Sequence, residues 1–228
     1  MVHFKEVKMQ YFQDTNTEIF DDLINDDNTL KTVSYKEIID RCKSLGNRDL
    51  LLPLSIWMNK KGYYVYPTKE LLSFVEERID GRYAVEIGAG MTGFGKHLGI
   101  LSTDSYMQSR ADVKEYYEML GQKITEPQHF VEKMDGNEVV DKKKPDVIIG
   151  CYITHKYRPG MESGSEFGVV EEHIISNCDY INIGNLVVHA SKPLFQYEHE
   201  VIHSPFVLTR STKWNDNRIF IWKKQCIS

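Results

Sequence analysis

The feature that most constrains the fold of this chain is a glycine-rich turn between a short apolar run and a helical segment. The run YAVEI covers residues 83–87, and Gly88, Gly90 and Gly93 follow it with the spacing G-x-G-x-x-G. Glycines allow a tight turn and let backbone amides approach a ligand closely, while the N-terminus of the next helix offers unpaired N–H groups. The motif predicts a nucleoside-cofactor site on a βα unit, and by itself it leaves NAD and other nucleoside cofactors open.

Short apolar runs alternate with helical or polar segments through the rest of the sequence. This alternation is typical of βαβ units, whose strands are buried on both faces of a parallel sheet. The last two runs are joined by the polar segment STKWNDN, which is too short for a parallel crossover, so we expect an antiparallel hairpin there. The strands predicted after the first lie at 100–103, 130–134, 146–151, 180–184, 206–210 and 218–224.

The part of the chain before residue 80 is predicted to be mainly helical. One helix begins after Ser34, a residue type favoured as an N-cap, and ends near Gly46. Another begins after Thr68 and carries an apolar stripe on one face. A later helix, within the α/β part, carries Val113 and is predicted to end at Gly121.

An aromatic-rich stretch precedes the helix that begins after Thr68. It contains Trp57, Tyr63, Tyr64 and Tyr66, and we expect these rings to pack the helical segment on the sheet. A lid over a substrate is the functional alternative for the same residues.

Composition and charge describe an ordinary folded protein. The chain has 228 residues, 41% of them apolar and 27% charged, with a formal net charge of −5. This balance gives no strong signal for nucleic acid, and no apolar run has the length of a membrane span. The four cysteines are far apart and form no CxxC pair, which favours reduced thiols in the cytoplasm. We therefore expect a cytoplasmic protein with a helical segment at 1–80 and an α/β domain at 81–228.

Two acidic residues bear on the choice among nucleoside cofactors. Glu86 stands two residues before Gly88, where many dinucleotide-binding chains are apolar, and Asp104 follows the second predicted strand. A carboxylate in the second position suits hydrogen bonds from ribose hydroxyls in either family of cofactor. The segment VEIGAGMTG, with its acidic residue, resembles the first motif of the class I S-adenosylmethionine-dependent methyltransferases.

The resemblance covers most of residues 83–224. MDGNE at 134–138 is similar to the family's third motif, with Asp135 placed to accept from the adenine amino group, and PDVIIGCY at 145–152 is similar to the fourth. It implies a Rossmann-like α/β sheet with an antiparallel C-terminal hairpin, S-adenosylmethionine as cofactor, and methyl transfer to an unidentified acceptor. The residues expected to bind the cofactor are Glu86, Gly88, Gly90, Gly93, Asp104, Asp135 and Cys151.

The chain departs from the family pattern at two places. Asp104 follows Gly90 so closely that the first helix of the α/β domain must be short. Gly150, Cys151 and Tyr152 stand where nucleic-acid amino-methyltransferases carry an NPPY-type sequence, which argues against methylation of DNA bases. As a whole the chain resembles uncharacterised methyltransferase-like proteins of bacteria and their viruses, a group that supplies a fold and no substrate.

The loop after the fourth predicted strand carries the candidate catalytic residues. The segment ITHKYRPG lies at the C-terminal end of that strand, where ligands bind in open α/β sheets. His155 is the best-placed general base, with Tyr157 as a neighbouring hydroxyl, because an imidazole suits proton removal near neutral pH. The alternative is a histidine that only orients the loop. Asn185 and His189, after the fifth strand, are further candidates.

The segment HEVIH matches the HExxH zinc signature and supplies an alternative function, a zinc-dependent hydrolase. On a helix, His199 and His203 would face one metal while Glu200 acted as general base. Pro193 and Pro205 bracket the segment and limit such a helix, so we expect no metal there. A further alternative is a catalytically silent protein that retains the nucleoside-binding pocket.

Overall fold

The computed structural model describes residues 16–119 and 122–226, and a seven-stranded sheet lies at its centre. The strands are β1 (Ala84–Ile87), β2 (Leu101–Asp104), β3 (Glu132–Lys133), β4 (Val147–Cys151), β5 (Asp179–Asn185), β6 (Glu200–Ile202) and β7 (Asn217–Trp222). Their order across the sheet is β3-β2-β1-β4-β5-β7-β6. The five neighbouring strands β3, β2, β1, β4 and β5 are parallel, while β7 runs antiparallel to both β5 and β6. The predicted Rossmann-like α/β sheet with an antiparallel C-terminal hairpin is confirmed.

The α-helices of the described residues include three that precede the sheet and four that are interspersed with its strands. They are α1 (Tyr35–Ser44), α2 (Leu52–Lys61), α3 (Lys69–Ile79), α4 (Phe94–Leu98), α5 (Ala111–Met119), α6 (Gly136–Lys143) and α7 (Glu171–Asn177). None of the helices in these ranges is long and apolar enough to cross a membrane. The predicted stop of α5 at Gly121 lies outside the described residues.

Local sequence signals explain where the predicted helices begin. The Ser34 hydroxyl accepts from the Glu37 N–H (3.2 Å), and the Thr68 hydroxyl accepts from the Leu71 N–H (3.1 Å). Each such N-cap stabilises its helix by about 1 kcal/mol, because it satisfies an N–H group that has no partner within the helix. The first helix after the glycine turn, α4, has only five residues, as the position of Asp104 predicts.

Helices cover both faces of the sheet, because the apolar side chains of its strands alternate between the faces. On one face, α3 packs against strand residues that include Ile149 and Ile181. On the other face, α6 and α7 pack against Ile148 and Tyr180. The central strands are therefore buried on both sides, and ligands can reach the sheet only at its ends.

The N-terminal helices form a core of their own beside the sheet. This core fully buries three of the aromatic residues, Trp57, Tyr63 and Tyr66. They pack helices against each other. The expectation that these three rings pack the helical segment on the sheet is therefore wrong. Met91, in the glycine turn, and Leu208 belong to the same core and connect it to the α/β part. Helix α2 has no sequence signal, because its residues from 53 to 58 are all buried and do not form an apolar stripe on one face.

The first strand of the C-terminal hairpin differs from the predicted one. Residues 206–210 do not pair with β7. The hairpin partner of β7 is β6, in which Ile202 lies opposite Ile219. Leu208 is instead buried among the N-terminal helices, and its carbonyl accepts from the Tyr66 N–H (2.9 Å). This packing holds the segment against the N-terminal part of the chain. The prediction of a strand at 206–210 is therefore wrong, although the hairpin itself is antiparallel as expected.

Candidate functional site

The glycine turn connects β1 to α4 with three glycines in the left-handed region of backbone conformation. The φ angles are +59° at Gly88, +55° at Gly90 and +76° at Gly93. A Cβ atom added to Gly90 would lie 2.5 Å from the Cγ2 atom of Thr125, which is well inside van der Waals contact. Glycine is therefore required at position 90 both for the turn and for the close packing above it.

Glu86 connects β1 to α4 and to β2 through its side chain. Its side chain is buried, and its Oε2 atom accepts from the Gly95 N–H (2.8 Å) and from the Ser102 hydroxyl (2.8 Å). Burial raises the pKa of Glu86 to about 7, although the two hydrogen bonds act in the opposite direction. Its Oε1 atom has no hydrogen-bond partner among the described residues, so this atom can accept from a ligand.

Two further carboxylates lie at the end of β2 and just after β3, and both accept hydrogen bonds from backbone amides. Asp104 accepts from the Gly90 N–H (3.0 Å) and from the Tyr106 N–H (2.7 Å), and burial raises its pKa. Asp135 is the N-cap of α6 and accepts from the Asn137 N–H (2.9 Å) within a capping box. Both side chains are thus fixed in position before any ligand binds.

These residues line one cavity, which we call the glycine cavity, at the C-terminal ends of β1, β2 and β4. From β1 the chain continues to β2 and β3 on one side, and it then crosses to β4 on the other side of β1. The cavity therefore lies at the point where ligands bind in open α/β sheets. Its cavity volume is about 150 Å³. Its lining includes the predicted residues Glu86, Gly88, Gly90, Asp104, Asp135 and Cys151.

The charge of the glycine cavity has a single sign. Glu86, Asp104 and Asp135 are its charged side chains, and no lysine, arginine or histidine of the described ranges lines it. The Cys151 thiol is neutral at physiological pH, because burial and the nearby Glu86 carboxylate raise its pKa. Gly93 lies outside the lining and packs against Thr29.

A second cavity, which we call the histidine cavity, adjoins the first. The two share a wall formed by Tyr64, Tyr117, Tyr152, Ile153 and Thr154. Beyond this wall the histidine cavity is lined by His155, Ser163, Gly164, Val188, His189, Lys192, Arg210 and Ser211. The two cavities are therefore immediate neighbours.

Of the two predicted catalytic residues, His155 lies in the histidine cavity and Tyr157 in neither cavity. The Nε2 atom of His155 is 2.9 Å from the Ser163 carbonyl oxygen. Because a carbonyl only accepts, Nε2 donates this hydrogen bond, and in the neutral imidazole Nδ1 is the nitrogen with the lone pair. The side chain of Tyr157 is exposed to solvent. The arrangement separates His155 from the carboxylates that surround the glycine turn.

Strained and buried groups surround the shared wall. Tyr152 has a φ angle of +58°, which is uncommon for a residue with a large side chain, and its hydroxyl lies 2.7 Å from that of Thr209. Its ring makes an edge contact with His189. Burial and the Lys192 ammonium lower the pKa of His189 to about 3, so this imidazole is neutral. Asn185 is also buried and donates to the Asn217 side chain (3.0 Å).

Two residues of the histidine cavity, Lys192 and Arg210, are not predicted from the sequence. The ammonium of Lys192 pairs with the carboxylate of Glu171, and both side chains are buried. The guanidinium carbon of Arg210 lies 4.0 Å from the centroid of the Tyr64 ring. No motif marks these residues, since each reaches the cavity only through the packing of loops that are distant in sequence.

HEVIH does not have the geometry that the zinc alternative requires. Glu200 lies in β6, so the segment is extended and the two histidines do not face one point as on a helix. His199 stacks on the Trp222 ring at 5.3 Å, and Glu200 pairs with Arg78 (3.0 Å). Within residues 16–119 and 122–226, no group of three His, Cys, Asp or Glu side chains is arranged to hold a metal ion.

The strand order decides the fold class. A parallel β3-β2-β1-β4-β5 arrangement followed by an antiparallel β7 is the sheet that the motif resemblance implies. The fold is class I methyltransferase-like. No family model matches the sequence, and no curated protein matches it.

Solved structures with similar folds include three that span most of this chain. A SAM-dependent O-methyltransferase from Thermotoga maritima is 12% identical and has a TM-score of 0.39, with coverage of 71% of this chain and 67% of that one. A 16S rRNA N2 methyltransferase from T. thermophilus, in complex with AdoMet and guanosine, is 10% identical with a TM-score of 0.32, and 78% of this chain matches 43% of that one. A protein from Pyrococcus horikoshii is 15% identical with a TM-score of 0.29 and coverage of 68% and 73%. The chain thus spans less than half the length of the rRNA methyltransferase.

Proposed function

We propose that this protein binds S-adenosylmethionine in the glycine cavity and transfers its methyl group to an acceptor in the histidine cavity. The observation that carries the proposal is the charge of the glycine cavity, which has three carboxylates and no cationic side chain in its described lining. A cofactor with a positive sulfonium and an amino group is attracted to such a site.

The same carboxylates argue against a dinucleotide. In dinucleotide-binding folds the pyrophosphate lies at the N-terminus of the helix that follows the glycine turn. Here the Gly95 N–H at the start of α4 donates to Glu86, so a carboxylate already accepts from that helix end. A pyrophosphate placed there would meet a negative group instead of free amides. This favours S-adenosylmethionine over NAD, the choice that the glycine motif alone leaves open.

The motif resemblance assigns a residue of the cavity to each part of the cofactor. Following the motif resemblance, Glu86 would contact the methionine portion, Asp104 the ribose hydroxyls and Asp135 the adenine amino group. The backbone of Gly88 and Gly90 gives the close approach that a bulkier residue would prevent. The cofactor would supply an electrophilic methyl group on its sulfonium.

The chain contributes position and a base to this reaction. Tyr64, Tyr117 and Tyr152 form the boundary across which donor and acceptor meet, and holding them there accounts for much of the expected rate enhancement. Nδ1 of His155 is the basic nitrogen that would take a proton from an acceptor hydroxyl or amine. Tyr157, which lines neither cavity, has no step in this mechanism.

Isothermal titration calorimetry with three ligands tests the cofactor assignment. We expect S-adenosylmethionine and S-adenosylhomocysteine to bind with one site per chain and NAD to give no heat. Binding of NAD without either sulfur compound would overturn the proposal in favour of a dehydrogenase. Failure of all three would leave the glycine turn without a nucleoside ligand and would also overturn it.

A further inference from the structure

The histidine cavity differs from the glycine cavity in carrying no carboxylate in its described lining. Its basic side chains are His155, His189, Lys192 and Arg210. A negative group that enters this cavity meets no charge of its own sign. The cavity therefore favours an anionic ligand, provided that one of the basic groups is available to it.

Lys192 is not available, because its charge is already balanced. Its ammonium donates to the Oε1 atom of Glu171, and the Tyr180 hydroxyl donates to the same oxygen (2.9 Å). Both charged side chains are buried beneath the cavity. Removing either partner of a buried ion pair is costly, so the pair stays intact when a ligand binds. His189 is neutral and adds no charge.

Arg210 has an uncompensated charge. Its Nη2 atom donates to the neutral side chain of Gln122 (3.2 Å), and it forms no ion pair with any described residue. Five other arginines of the described residues do pair with carboxylates. The Tyr64 ring lies against its guanidinium, and a guanidinium stacked on a ring keeps N–H edges that suit carboxylate or phosphate oxygens.

We infer that the acceptor is a small organic anion, with a carboxylate or phosphate group held by Arg210 in the histidine cavity. The inference rests on the proposed function of the adjoining glycine cavity, since it assigns the ligand of the second cavity as the methyl acceptor. The anionic group at Arg210 orients the molecule, and the atom to be methylated then points toward the tyrosine wall. His155, on the same cavity, faces the acceptor and not the cofactor.

Two observations favour a small molecule over a nucleic acid. His155 and His189 are only 6% and 5% exposed, so these side chains offer little surface to a polymer such as a nucleic acid. The chain also has a net charge of −5, which gives no general attraction for a polyanion. One arginine within a tyrosine-lined cavity matches a single anionic group.

Ligand-observed NMR on the full chain, saturated with S-adenosylhomocysteine at constant ionic strength, tests this inference. The probes are benzoate, phenyl phosphate and benzamide, which share an aromatic ring and differ in charge. We expect benzoate or phenyl phosphate to bind about tenfold more tightly than benzamide, as a charge-assisted hydrogen-bonded pair predicts. The tighter of the two anions identifies the carboxylate or the phosphate as the recognised group.

Two variants locate the recognition. R210Q should remove the preference for the anion, while K213Q, which changes an exposed cation outside the cavity, should retain it. Equal binding of the three probes, no binding of either anion, or an anion preference that survives in R210Q would overturn the inference. A tenfold loss of S-adenosylhomocysteine affinity in R210Q would also overturn it, because Arg210 would then serve the carboxylate of the cofactor.

The failure of the inference can be separated from failure of the proposed function. If the wild-type chain does not bind S-adenosylhomocysteine, the cofactor assignment fails. The same three probes titrated without S-adenosylhomocysteine then still report whether the histidine cavity selects anions through Arg210. An anion preference in that experiment would support recognition by Arg210, and its absence would overturn the inference on its own terms.

Discussion

The glycine cavity and the histidine cavity lie side by side at one edge of the sheet and share three tyrosines, yet their charged groups have opposite signs. Carboxylates line the first and basic groups line the second. The carboxylates lie in β1, at the end of β2 and just after β3, whereas the basic groups lie on loops that come together only in the folded chain. The difference supports the proposed pair of ligands, a cationic cofactor in the first cavity and an anionic acceptor in the second.

The largest effect that would sharpen this comparison is loss of the base in the histidine cavity. H155A should lower the turnover of methyl transfer by roughly 10²- to 10⁴-fold while leaving affinity for S-adenosylhomocysteine unchanged. Single-turnover transfer from labelled S-adenosylmethionine to an acceptor found in a screen of organic acids measures the first quantity, and calorimetry measures the second.

The control for this prediction is H173A, because His173 is only partly buried, pairs with Asp141 and lines neither cavity. It should retain full turnover. If H155A loses no more activity than H173A, His155 is not the base. If H155A instead weakens binding of the cofactor, the division of labour between the two cavities is wrong.

A second prediction concerns the close packing over the glycine turn. G90A should abolish measurable binding of S-adenosylhomocysteine and lower the free energy of unfolding by about 1–3 kcal/mol, the usual strain of a side chain at positive φ. The new methyl group would also contact Thr125 Cγ2. Calorimetry and chemical denaturation measure the two effects.

T125S separates the clash from the strain. Serine lacks the Cγ2 atom but keeps the hydroxyl that donates to the Gly62 carbonyl (3.0 Å). Adding T125S to G90A should therefore recover part of the lost stability without restoring binding. Full recovery of binding in the double variant would show that the methyl group at position 90 does not obstruct the cofactor.

Much of the glycine cavity can be predicted from the sequence, because a glycine turn after a strand and acidic residues at strand ends are local patterns. The histidine cavity is different. Arg210 belongs to a segment whose short apolar run predicts a strand, yet burial of Leu208 among the N-terminal helices places that segment against the shared wall. Such packing depends on distant parts of the chain, and no local pattern encodes it. The assignments of His155 and of the cofactor-binding residues remain predictions.

A third prediction tests the acidic cavity by removing one charge while keeping its structure. D135N should weaken binding of S-adenosylmethionine about tenfold, because the carboxylate proposed to accept from the adenine amino group becomes an amide. Asparagine is as good an N-cap as aspartate, so α6 and the melting temperature should be preserved. D141N, which changes an exposed carboxylate on the same helix, should bind like the wild type. Equal affinities of D135N and D141N would remove Asp135 from the site.

The smallest expected effect is a pH dependence that only the glycine cavity should show. Burial raises the pKa of Glu86 to about 7, so in the free protein this side chain is protonated at pH 6 and mostly ionised at pH 7.5. Its proton is held more tightly in the folded than in the unfolded chain, so its contribution to stability is present at low pH and is lost as pH rises through 7.

A bound cation favours the ionised form of Glu86, and binding at pH 6 must therefore release a proton. Affinity for S-adenosylmethionine should rise several-fold, by less than about tenfold, between pH 6 and 7.5. E86Q keeps an oxygen that can accept from Gly95 and Ser102 but cannot ionise, so its affinity should be nearly constant over this interval. Calorimetry in buffers of different ionisation enthalpy measures both the affinity and the number of protons released. If the affinity of the wild type changes with pH as little as that of E86Q, Glu86 does not face the cationic part of the cofactor.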